Sequence, residues 1–150
     1  MNLPSPLPRR HFLRLGLAGY ALWGGPPARA CEFFAAHFRI THPWTRASAP
    51  GETTAMVCLR IDEVTLSDRL IHVETPVAES AEMGGIAVPG PVNLVIPADR
   101  VTQLSEAGPY IRLLGLRHPL EVAREYPMDL VFERAGVVQA RLSVDYTRFS

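Results

Sequence analysis

The sequence predicts an all-β chain, a single antiparallel Greek-key β-sandwich, and three observations point that way. Short stretches alternate apolar and polar residues with a period of two, the spacing at which strand side chains share a face. Proline and glycine, 14 and 11 among 150 residues, punctuate most joins between those stretches. No window repeats apolar residues at helical spacing for long. Many short strands with turn signals at this spacing argue for a sandwich or barrel.

In chain order, "HFRITHPW" alternates through Phe38 and Ile40 to Trp44. "TTAMVCLRID" puts Ala55, Val57, Leu59 and Ile61 on one face and Met56, Cys58 and Arg60 on the other. "DRLIHVET", "VNLVIP" and "RVTQL" follow. In "GPYIRLLGL", Tyr110, Arg112 and Leu114 point one way while Ile111 and Leu113 point the other. "MDLVFE" sets Met128, Leu130 and Phe132 on one side. "VVQARLSVDY" turns Val138, Ala140, Leu142, Val144 and Tyr146 inward. Arg134-Ala135-Gly136 joins the last two as a short hairpin, its glycine supplying the positive φ such turns require. "PLEVAREYP" has room for one helical turn between two prolines and no more.

The first thirty residues read as a signal rather than as fold. Arg9-Arg10-His11-Phe12-Leu13-Arg14 is a basic region, residues 15 to 25 are a short apolar run, and Ala28-x-Ala30 is a cleavage site. The run is shorter than the roughly 20 residues a membrane span needs. The paired arginines fit a twin-arginine address. Residues 1–30 are thus the expected signal peptide, cleaved after Ala30, residues 31–150 the domain, and the periplasm the expected compartment. The 120 residues that remain suit one small domain with one core.

That domain carries eleven arginines, no lysine and fifteen acids. An acidic balance argues against nucleic acid, whose phosphates call for clustered cations. Both cysteines, Cys31 and Cys58, fall in the exported part. In an oxidising compartment they most simply form one disulfide. The alternatives are free buried thiols, a lipidated Cys31, or a thiolate metal ligand.

Catalytic constellations are missing. No serine sits in a Gly-x-Ser-x-Gly elbow, neither cysteine has a nearby histidine in a nucleophile motif, and there is no phosphate loop or His-Glu-x-x-His. The expectation is a binding protein, not an enzyme. His37, His42, His72 and His118 with Met56, Met83 and Met128 are soft or borderline donors that suit copper, but no two fall at a tight ligand spacing.

"ITHPWTRASAPGETTAMVCLRI" resembles the opening of the periplasmic copper chaperones of the PCu(A)C type. The resemblance continues through "DRLIHVETPVAESAEMGG", "IPADRVTQLSEAGPYIRLLGLRHPL" and "MDLVFERAGVVQARLSV", covering nearly all of residues 38 to 145. Its most specific pieces are His42-Pro43-Trp44-x-Arg46-Ala47, Gly115-Leu116-x-x-Pro119-Leu120 and Phe132-Glu133-x-Ala135-Gly136. The resemblance implies a cupredoxin-like sandwich and a role in carrying Cu(I) towards cytochrome oxidase. Its partner would be a protein of copper handling or oxidase assembly.

The resemblance also locates the family's copper ligands, a His-x-Met pair and an earlier His and Met. Here the pair falls on Tyr110 and Arg112, the earlier histidine falls on Ala81, and the shortened "GGIAVPGPVNLV" offers no methionine. Arginine has no lone pair for a metal and carries a fixed positive charge. No copper is therefore expected at the family position. Copper(I) through other residues would draw on Met83, beside that position, or on Met56 and Cys58 with His37 and His72. The alternative is a metal-free interaction module using Tyr110, Arg112, Ala81 and Glu82, with Arg112 bridged to Glu82 or Glu106.

Overall fold

The computed structural model describes residues 31–146, so the expected signal peptide lies outside the described residues. Eleven strands follow in chain order: β1 Glu32–Phe34, β2 Arg39–Arg46, β3 Thr54–Asp62, β4 Asp68–Glu74, β5 Ala78–Gly84, β6 Gly90–Pro91, β7 Leu94–Ile96, β8 Thr102–Leu104, β9 Tyr110–Leu116, β10 Glu125–Phe132 and β11 Gly136–Tyr146. No helix occurs among the described residues.

The strands form one curled sheet in the order β6-β5-β9-β3-β2-β11-β10-β4-β7, with β1 on β2 and β8 on β3. Neighbours distant in the chain are what Greek-key connections require. β3 does the folding over. Its first half pairs with β9 (Thr54 with Leu114 to Val57 with Ile111), and its second half pairs with β2 and β8. One long strand thereby belongs to both layers. The expectation of antiparallel pairing fails at one place, because β11 runs parallel to β2. β2 and β11 lie far apart in the chain, so no tight turn constrains their direction.

Between the layers sits a single main core containing Ile40, Val57, Leu59, Leu70, Ile111, Leu113, Met128, Leu130, Phe132 and Leu142. Strand alternation places most of these side chains as the sequence predicts. β2 is the exception. His42 adopts φ 50° and the β2–β3 register shifts between Thr41 and Trp44. Such a bulge reverses the faces beyond it. Ile40 and Thr45 are both buried, while Trp44 turns outward. Tyr146, expected inside, is half exposed and packs edge-on against Trp44 at 4.9 Å.

A buried carboxylate ties the far end together. Asp68 accepts hydrogen bonds from the backbone N–H groups of Arg69, Arg134 and Ala135, and lies 2.9 Å from His37 Nε2. Burial by itself would raise its pKa, but those donors outweigh it and hold Asp68 below the usual carboxylate range. The β10–β11 hairpin is pinned to β4 through this one side chain. Gly136 at φ 73° closes the hairpin as expected.

Candidate functional site

β5, β9 and β3 lie side by side, so their outward residues make one surface. The register sets Glu82 and Met56 on either side of Arg112, and Gly84 opposite Tyr110. Arg112 donates from Nη1 to Glu82 Oε1 at 3.0 Å and from Nη2 to the Tyr110 hydroxyl at 2.9 Å. Its guanidinium carbon lies 5.7 Å from the Tyr110 ring centroid. The Tyr110 hydrogen bond, then the hydrogen bond and charge of Glu82, hold the guanidinium protonated more firmly than usual. Glu82, rather than Glu106, is thus the carboxylate that bridges Arg112.

The other expected members of this surface fall elsewhere. Ala81 pairs with Leu113 and packs against the core rather than beside Arg112. Met83, the nearest soft donor to the family position, is 3% exposed and faces inward opposite Ile111. A side chain one residue from Glu82 must point to the opposite face of the strand. Met83 is core, not a surface ligand.

The expected disulfide is also absent, since Cys31 and Cys58 are separate free thiols. Cys31 precedes β1, with its sulfur 3.5 Å from Glu125 Oε1 and 3.7 Å from Ser143 Oγ. Cys58 lies on β3, and β2 pairs with β1 on one edge and β3 on the other. Two strand spacings are about 9.6 Å, beyond the Cα separation of about 6.8 Å that a disulfide spans.

The histidines are engaged apart from β3. His37 is turned to Asp68, His42 to Asp145, and His72 is exposed beside Glu74. Among the described residues no three His, Cys, Asp or Glu side chains converge as a metal-holding group.

Sequence reading left out one neighbourhood. Arg46 donates from Nε and Nη2 to the two carboxylate oxygens of Glu106 and stacks 5.3 Å from the Tyr146 ring centroid. Thr45, Ser48, Thr54, Ala55, Met56 and Glu106 help to line a cleft of about 340 Å³ there. Cys58 lies close enough to feel both charges of the ion pair. Its thiol is pushed up to about 11, by burial first and then by Glu106, with Arg46 opposing. Arg46 was visible in the sequence only as the arginine of the His-Pro-Trp-x-Arg segment. Nothing there paired it with Glu106, 60 residues away.

Comparison with known proteins shows the family and the fold. Residues 38–144 match the family described as "Putative lipoprotein LpqE-like". The chain belongs to the LpqE-like family. Among solved structures, it is similar to the copper-bound PCuAC domain from PmoF2, with TM-score 0.70 and 28% identity over 77% of this chain and 97% of that one. It is similar also to the apo PCuAC domain from PmoF1, with TM-score 0.69 and 32% identity over 77% and 98%. CuI-DR1885 from Deinococcus radiodurans shares the fold at TM-score 0.57 and 21% identity, over 80% and 90%. No curated protein matches. The LpqE-like chain therefore has the PCuAC fold, a cupredoxin-like β structure, as its sequence predicts.

Proposed function

We propose that this LpqE-like chain is an exported, non-enzymatic protein of copper handling or oxidase assembly, with a degenerate family Cu(I) position. The observation that carries this reading is Arg112, which Glu82 and Tyr110 hold at 3.0 and 2.9 Å where the resemblance puts a methionine ligand. A fixed guanidinium beside a vacated ligand position repels a cation and donates no electron pair. The residues at the family position do not fit copper. Copper handling is supported by the PCuAC neighbours, one solved with copper bound. Export is supported by the family's description as lipoproteins and by the signal-like residues 1–30.

The test is Cu(I) retention by the full chain against a competing chelator under anaerobic conditions. Tyr110→Phe, Arg112→Ala and Glu82→Gln should leave retention unchanged. Loss of copper in Tyr110→Phe or Glu82→Gln would overturn the degenerate reading. N-terminal sequencing of the exported protein should find Cys31 first.

A second reading, a metal-free interaction module, is favoured by the turn after β5. Ile86 and Val88 are 46% and 77% exposed there, following the glycines against which Tyr110 packs. Tyrosine and arginine beside exposed apolar residues are the types that anchor protein interfaces. Copper-independent capture of an oxidase-assembly protein, abolished by Tyr110→Ala, would favour this reading.

A further inference from the structure

We infer that an extended segment of a partner protein adds as a strand in the slot between β1 and β11. β3 takes one edge of β2, from Arg39 to Trp44. β1 and β11 share the other edge: β1 pairs with Arg39 to Thr41, and β11 with Trp44 to Arg46. The bulge at His42 marks the changeover. β1 is antiparallel to β2 and β11 parallel to it, so β1 and β11 run antiparallel to each other without forming a ladder. They meet where Cys31 Sγ lies 3.7 Å from Ser143 Oγ and part towards Ala36 and Val137. The gap is a slot of about 590 Å³.

Both walls are strand edges in want of a neighbour. Besides β2, β1 has no strand partner among the described residues. From Gly136 to Leu142, β11 pairs with β10 on one edge and with no described strand on the other. An open edge presents a row of N–H and C=O groups at strand spacing, and an extended peptide is the occupant that meets such a row. The side chains agree. Phe33, Ala35, Ala135 and Val138 floor the slot with apolar surface continuous with the main core. Phe34 and Val137 at its open end are 61% and 58% exposed, apolar area that an added strand would cover.

Charge gives the partner's chemistry. Glu32 is the one charged residue in the lining, and Arg39 bridges it at 3.3 Å. Arg134 and Arg141, just before and just after the lining residues at the start of β11, are exposed, and their side chains have no ion-pair partner among the described residues. The segment that fits alternates apolar residues, to cover Phe34 and Val137, and carries an acidic residue for a guanidinium. The slot lies across β2 from β9, so it adds a contact face separate from the Tyr110–Arg112 surface.

The probe is a library of random heptapeptides displayed on phage and selected on the immobilised full chain. Enriched sequences should alternate apolar residues and carry Asp or Glu. A synthetic copy should protect amides of β1 and of Val137 to Gln139 from hydrogen exchange. A copy N-methylated at alternate residues, lacking those donors, should bind at least about tenfold more weakly. Phe34→Ser should weaken binding by about tenfold, the scale of losing one apolar anchor, and Ala36→Trp should abolish it by filling the open end. Both positions are exposed, so both variants keep the fold. Failure to enrich, protection confined to other strands, equal binding of the N-methylated copy, or full binding by Ala36→Trp would overturn the inference. A concentration-dependent dimer that Ala36→Trp abolishes would place a second copy in the slot and overturn the choice of partner. None of these outcomes involves copper, so the readings above stand or fall separately.

Discussion

The Tyr110 ring lies against Gly84 on the neighbouring strand, so close that a Cβ at position 84 would stand 2.3 Å from ring Cε2. Gly85 beside it adopts φ +67°, and a Cβ there would meet the Gly108 carbonyl oxygen at 2.0 Å. These two glycines make the recess in which the ring rests, and the ring in turn presents its hydroxyl to Arg112.

Gly84→Ala should therefore displace Tyr110 and break its hydrogen bond to Arg112. Overpacking of this kind costs about 1–3 kcal/mol. Ring proton shifts of Tyr110 in NMR spectra should move, and unchanged shifts would refute the packing described. Gly85→Ala should cost more, since it adds a left-handed backbone to a clash with backbone that cannot swing away.

Asp68 should make stability depend on acid. Its folded pKa lies below the unfolded value of about 3.9. A depressed carboxylate contributes fully above the unfolded value, and the contribution disappears as pH falls through the lower folded value. Urea unfolding at a series of pH values should show this fall, and Asp68→Asn should flatten it. At neutral pH the substitution should cost about 3 kcal/mol, the scale of disrupting a buried charged group with several donors.

The Arg112–Glu82 bridge should matter little to folding. Its side chains are 31% and 26% exposed, and exposed ion pairs contribute about 0–1 kcal/mol. Arg112→Ala should shift the urea midpoint only slightly. A large shift would mean that the cluster is structural rather than a surface kept for contact.

Tyr110→His combined with Arg112→Met should add Cu(I) binding. The double substitution removes the fixed cation and restores an imidazole and a thioether two residues apart on β9, donors suited to soft metal. Copper retained by this variant and not by the unsubstituted chain would place the new ion on β9. The same retention in both would show that the surface around Gly84 no longer admits a metal.

Alternation carried much of the fold, and the reason is local. β9, β10 and β11 each have one face against the core, so Ile111, Leu113, Leu130, Phe132 and Leu142 were legible as inward residues before any pairing was known. β5 was not legible as a strand in the same way. "AESAEMG" lacks the β-branched and aromatic residues that mark one, and it is extended because β9 offers seven residues of edge beside it. β1 is short and was missed for want of length.

By itself the sequence determined an all-β chain with alternating faces, and it set Tyr110 and Arg112 together on the outward face of one strand. Those are properties of residue type and of a period of two, which need no partner strand. Only the tertiary structure decided which carboxylate meets Arg112, that Met83 is core, and that β2 separates Cys31 from Cys58. It also reversed the outer half of β2 at His42 and set Arg46 with Glu106 beside Cys58. The physical reason is register. A contact between residues distant in the chain depends on which strands pair and on each bulge between them, and one residue of slip exchanges every face.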